Sequence, residues 1–163
     1  MSLSASATGR PLLLVGNKLN NAQKDFLASL KGNKLYIAGG EAAVSAKVEK
    51  EIKAYGKPTR LAGSTRYETS TLIAKTFFKE AEYAVVALGT NFPDGLSGGP
   101  LAYAMNSPML LTATQKANYQ VTSAYTNGNK ITSGYVLGGP TLLTDDVVKR
   151  IFNMKAKDEI KIK

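Results

Sequence analysis

The chain has 163 residues, a formal net charge of +9, a hydrophobic fraction of 44% and neither cysteine nor histidine. This is the composition of an ordinary globular protein, and it excludes cysteine nucleophiles, Ser-His-Asp triads and zinc sites built on cysteine or histidine. No apolar run approaches the roughly 18 residues that a membrane-spanning helix needs, and the basic excess points to a polyanionic partner.

In chain order, the small and polar Met1–Arg10 lacks the apolar stretch of a signal peptide and predicts a disordered leader. Leu12–Val15 is a short apolar run ending at Gly16, which predicts a buried strand. Asn20 or Asn21 can cap a helix that turns Phe26, Leu27 and Leu30 to one face and closes at Gly32. Leu35–Ala38 is a second strand. Gly39-Gly40 turns it, and Ser45 can cap a helix with Val44, Val48 and Ile52 in line and Glu49 and Lys53 paired on the wet side. Thr59–Ala62 predicts a third strand, and Thr69–Lys79 a helix burying Leu72, Ile73 and Phe77. Tyr83–Leu88 has the strongest strand pattern of the chain. Asp94 is placed to cap a helix through Leu101–Met105, with Gly98, Gly99 and Ala102 small enough for close packing. Pro108–Thr112 is again a strand, 115–126 a helix broken at Asn127-Gly-Asn129, and Tyr135–Leu137 a strand turned by Gly138-Gly139. Thr144 can cap a helix with Asp145 and Asp146 at its positive end and Lys149 and Arg150 at its negative end. Glu159–Lys163 alternates like an exposed edge strand with gatekeeping lysines. Strands alternating with helices, the strands continuously apolar, predict an α/β fold with a parallel sheet covered on both faces.

The chain also repeats itself. Pro11 and Pro108, each opening an apolar run, lie 97 positions apart, and Gly39-Gly40 and Gly138-Gly139 lie 99 apart. The repeating unit is therefore about a hundred residues, the size of a small domain. This divides the chain into a leader (1–10), the second half of one repeat (11–59), a full repeat (60–154) and a C-terminal edge strand or tail (155–163).

Three features suggest ligand chemistry. Gly39-Gly40 and Gly138-Gly139 end strands and run into capped helices, which presents backbone N–H groups to an anion; as tight turns needing positive φ they also have a purely structural reading. Arg60, Arg66 and Tyr67 surround Gly63 as a guanidinium pair beside an aromatic, suited to phosphate or carboxylate and to a sugar ring. The alternative is that Arg66 pairs internally, with Glu68, Asp94 or helix-end carbonyls. Asp94 can serve as a general base or as a cap, and no second carboxylate stands beside it in sequence.

Arg60-Leu-Ala-Gly-Ser-Thr-Arg-Tyr-Glu-Thr69, followed by Asp94-Gly-Leu-Ser-Gly-Gly-Pro-Leu-Ala102, Pro108-Met-Leu-Leu-Thr112 and Gly138-Gly139, resembles the cell wall binding repeat 2 family. The resemblance runs from Arg60 to Met154, and Leu12–Tyr55 resembles the second half of a preceding repeat. It implies a Rossmann- or Toprim-like α/β module, three of which associate as a pseudo-trimer in exported proteins of Gram-positive bacteria, including clostridial surface-layer and cell wall proteins. It also implies non-covalent anchoring to an anionic secondary cell wall polymer, outside the cell and without catalysis. The family's Arg-Tyr-x-Thr falls on Arg66, Tyr67 and Thr69, and its Asp-Ala-Leu-Ser on Asp94–Ser97, with Gly95 in place of the usual alanine. The expected ligand contacts are Arg60, Arg66, Tyr67, Thr69, Asp94 and Ser97, with the turns Gly39-Gly40 and Gly138-Gly139. The expected partners are an anionic wall glycopolymer and other repeats of the same protein or a second copy; no cofactor, metal, nucleic acid or membrane is implied. The rival classes are a Toprim-like or sugar-phosphate-binding enzyme using Asp94 with Mg²⁺, and a purely structural assembly module.

Overall fold

The computed structural model describes residues 2–90, 92–155 and 158–160, and of these the side chains of Ser2, Leu3, Phe92 and Asp94 lie outside the description. Its elements are α1 (Ser2–Ser6), α2 (Asn21–Ser29), β1 (Tyr36–Ala38), α3 (Ala46–Ile52), β2 (Thr59–Leu61), α4 (Arg66–Phe77), β3 (Ala84–Leu88), α5 (Phe92–Ala104), β4 (Met109–Thr112), α6 (Lys116–Gly128), β5 (Gly134–Leu137) and α7 (Asp145–Ile151). The α/β class read from the sequence is the class of the structure. The described strands pair as two small parallel sheets, β1-β2 and β4-β3-β5.

β3 is the centre of the full repeat. All five of its residues are buried, because parallel neighbours flank both edges and helices cover both faces. Ala84, Val86 and Leu88 face one side, with Leu110, Tyr125, Leu143 and Ile151, so α6 and α7 close that face. Val85 and Ala87 face the other, with Met109, Leu111, Tyr67, Phe78 and Ala102. Burying one valine such as Val85 or Val86 is worth about 1.5–3 kcal/mol. Gly98 lets α5 approach closely: a Cβ there would stand 2.7 Å from Leu137 Cδ1 and 2.8 Å from Met109 Cε.

β4 is an edge, and its outward polar groups are met by side chains. Leu111 N–H donates to Ser70 Oγ on α4 (3.0 Å), and Thr122 Oγ1 on α6 donates to the Leu111 carbonyl (2.9 Å). Both hydroxyls are buried, so the edge neither needs water nor offers itself to another strand.

Several local expectations change. Leu12–Val15 is not a strand. Its counterpart β4 is held by pairing with β3, and no described strand stands beside Leu12–Val15 to supply that ladder. Leu13 and Val15 still pack on the first unit's own core of Leu19, Leu27, Ile37, Val48 and Ile52. The expected disordered leader instead holds α1, with Ser4 and Ala7 buried, and α1 packs on α4, α5 and β4. α4 begins at Arg66 rather than Thr69, because Thr65 caps it: its hydroxyl accepts from Glu68 N–H while the Glu68 carboxylate accepts from Ser64 N–H. α5 already begins at Phe92, so Asp94 lies inside the first turn and is not the cap. α6 continues through Asn127 and Gly128, and the chain turns at Asn129, whose Nδ2 donates to the Tyr125 carbonyl. Residues 158–160 form no strand, and 161–163, the rest of the expected edge strand, lie outside the described residues. Asn20 caps α2 with a full capping box to Gln23, and Ser45 caps α3, both as the sequence predicts.

Candidate functional site

Because β3, β4 and β5 are parallel, their carboxyl ends lie along one edge, and the loop after each strand opens there. This is the edge at which α/β sheets present ligand sites. The expected contact residues differ sharply in exposure.

Arg60 is turned inward. It sits in β2, half-buried, with Nη1 donating to the Gly39 carbonyl (2.7 Å) and Nη2 to the Val44 carbonyl (2.9 Å). Nε and Nη2 also reach Glu49 Oε2 at 3.1 and 2.6 Å. The Arg60 guanidinium, with Lys53 second, holds the Glu49 carboxyl below the usual carboxylate range. This clamp fixes the Gly39 turn, where φ is +119° and only glycine sits without strain. Gly138 repeats that conformation at φ +127° on an exposed turn.

Arg66 is turned outward. It is exposed on the first turn of α4, and its Nη1 donates to the Gly89 carbonyl at the end of β3 (2.6 Å). Gly89 N–H in turn donates to the Thr112 carbonyl of β4 (2.7 Å). The approach is close: a Cβ at Gly89 would lie 2.7 Å from Tyr67 Cε1 and 3.3 Å from Arg66 Cδ. Arg66 is thus held by a strand-end carbonyl, a partner outside the Glu68, Asp94 and helix-end carbonyls expected for it. Its charge stays at the positive end of a twelve-residue helix, where an anion is favoured twice over.

Tyr67 is buried in the core beneath Gly89, so its ring packs against the loop rather than offering a stacking face. Thr69 is buried too; its hydroxyl accepts from Gly63 N–H (2.9 Å) and donates to the Thr65 carbonyl (2.9 Å), which shapes the loop before α4. Arg66-Tyr67-x-Thr69 thus divides by exposure: Arg66 faces solvent, while Tyr67 and Thr69 are buried. Ser97 is exposed on α5, Gly40 is half-buried and Gly139 exposed, and the Asp94 side chain lies outside the described residues. Among the described residues no three acidic, cysteine or histidine side chains converge as a metal site.

Two buried features carry no signal in the sequence. Tyr125, whose hydroxyl donates to the Phe78 carbonyl (3.2 Å), has its pKa pushed up to about 12 by burial. Thr112 at the end of β4 buries a hydroxyl that has no partner among the described residues.

The family model described as Cell wall binding domain 2 (CWB2) matches residues 1–49 and 60–148. Among curated proteins the chain is similar to two from Bacillus subtilis (strain 168). It is 39% identical to N-acetylmuramoyl-L-alanine amidase LytC over 61 residues, 37% of this chain and 12% of that protein. It is 36% identical to an amidase enhancer over 90 residues, 55% of this chain and 13% of that one. Among solved structures, Cwp8 from Clostridium difficile superposes with a TM-score of 0.72 at 24% identity, covering 94% of this chain and 28% of that one. Cwp6 from the same organism gives 0.72 at 22% identity, covering 94% and 25%. The two Cwp chains share the fold, and the chain spans only a small part of every relative named.

Proposed function

The chain belongs to the cell wall binding domain 2 family, and on that premise we propose that it is a non-catalytic module that holds an exported protein to the cell wall through an anionic glycopolymer. The observation behind the proposal is Arg66, exposed at the start of α4 and held there by the Gly89 carbonyl. A guanidinium at a helix N-terminus suits phosphate or carboxylate groups spaced along a polymer. The net charge of +9 adds a long-range attraction for such a chain. The amidase and the amidase enhancer share only 12% and 13% of their lengths with this chain, which supports a module common to wall-acting proteins rather than their catalytic part.

In this reading Arg66 and the exposed Gly138-Gly139 turn meet the polymer, while Arg60, Tyr67 and Thr69 shape the loops behind them. One module binds weakly, and strength comes from further repeats or a second copy on the same polymer. The test is sedimentation of the protein with purified Gram-positive walls, before and after removal of their anionic polymer, at low and high salt. Binding should vanish with the polymer and fall with salt. Arg66→Ala should weaken it about tenfold, the loss of one charge-assisted contact. Equal binding to stripped walls, or an unchanged Arg66→Ala, would refute the reading.

A further inference from the structure

α3 carries lysines at positions 47 and 50, and Lys53, which closes the helix, keeps helical dihedrals (φ −60°, ψ −20°). Residues three apart form a ridge on a helix, its members about 4.5 Å apart along the axis. Val48 and Ile52 turn the other side of α3 into the core with Leu19, Leu27 and Ile37, so Lys47, Lys50 and Lys53 point away from it and are exposed. Both acidic residues of the helix are held from within. Glu49 Oε2 lies in the Arg60 clamp, 2.6 Å from Nη2, and Glu51 Oε2 accepts from Leu19 N–H at 3.3 Å. Lys53 Nζ touches Glu49 Oε1 at 3.1 Å with its side chain still 59% exposed, and Lys47 and Lys50 make no ion pair among the described residues. The counterpart helix at the 99-residue offset differs. α7 has Asp146 where α3 has Lys47 and the buried Phe152 where it has Lys53, and its Asp146 pairs with Arg150 at 2.8 Å. Asp145 and Asp146 are exposed, so this face is open in the full repeat too, but only α3 makes it a row of one sign.

We propose that the ridge of Lys47, Lys50 and Lys53 is a second polyanion contact, separate from Arg66, which takes consecutive anionic groups along one polymer chain. The inference rests on the wall-polymer reading and adds to it a surface on the first unit. The chemistry differs from that at Arg66. A guanidinium held by a carbonyl fixes one anionic group in one geometry, whereas ammonium groups on flexible stems follow charges whose spacing varies along a chain. A row of one sign also repels the same face of a second copy, which leaves a polyanion as its partner. Two contacts on one polymer strengthen each other, because the first raises the effective concentration of the chain at the second.

The test sediments the whole chain with polymer-bearing and stripped walls over a salt series. The ridge variant Lys47→Gln/Lys50→Gln/Lys53→Gln is compared with a control of equal charge change in the second repeat, Lys75→Gln/Lys79→Gln/Lys130→Gln, at exposed positions. The ridge variant should bind about tenfold more weakly than the control, with a shallower salt dependence. The charge-keeping variant Lys47→Arg/Lys50→Arg/Lys53→Arg should stay within about twofold of the parent, which separates loss of charge from loss of fold. Equal binding by the ridge variant and the control would overturn this inference and leave the wall-polymer reading standing. An arginine variant as weak as the glutamine one would overturn it as well. Parent binding that does not depend on the polymer would overturn both.

Discussion

Replacing Ser70 with alanine should cost stability through a single backbone amide on a different element. Ser70 is fully buried on α4, and its Oγ accepts from Leu111 N–H at 3.0 Å while donating to the Tyr67 carbonyl at 2.7 Å. Alanine leaves the Leu111 N–H buried on the outer edge of β4 without an acceptor, a penalty of about 1–3 kcal/mol. The better helix propensity of alanine returns about 0.5 kcal/mol. A net loss of about 1–2 kcal/mol, at about 2–4 °C per kcal/mol for a chain of this size, lowers Tm by about 2–8 °C. Calorimetry gives the shift, and amide hydrogen exchange locates it: Leu111 N–H should lose protection more than its neighbours in β3. Ser70 lies one turn beyond Arg66, so the same change should loosen the start of α4 and weaken wall binding modestly. A Tm within about 1 °C of the parent, with Leu111 equally protected, would refute the edge-capping argument.

Thr112→Val should act in the opposite direction. The Thr112 hydroxyl is buried without a partner among the described residues, and valine keeps the shape, so stability should rise by about 1 kcal/mol in chemical denaturation. The first repeat already has Val15 at this position. Gly134→Ala should destabilise by about 1–3 kcal/mol or more, since its Cβ would fall 2.0 Å from the Ala84 carbonyl oxygen across the β3–β5 ladder. Denaturant midpoints would show it, and an unchanged midpoint would mean that the strands separate at little cost. For the Arg60 clamp the sign follows from the depressed Glu49 pKa. Its contribution is present above the ordinary value of 4.5 and is lost as pH falls below that through the lower folded value. Urea midpoints of Glu49→Gln should therefore fall less steeply below pH 4.5 than those of the parent; parallel curves would remove Glu49 from the account.

The alternation of short apolar runs with capped helices determined the α/β class, because parallel strands buried on both faces leave a continuous apolar signature that local sequence displays. Caps were equally legible at Asn20 and Ser45, where a side chain bonds its own helix start. The family-specific motif also singled out the segment at whose start Arg66 stands exposed, beside the end of β3. What the sequence could not fix was direction. Arg60 and Arg66 are the same residue six positions apart, yet one is spent on Glu49 and two carbonyls while the other faces solvent. That outcome depends on which strand end lies within reach, a contact between segments distant in sequence. The same reason governs Leu12–Val15 and Met109–Thr112. Both read as strands, but a strand exists only with a neighbour to complete its ladder, and β3 supplies that neighbour to one of them alone.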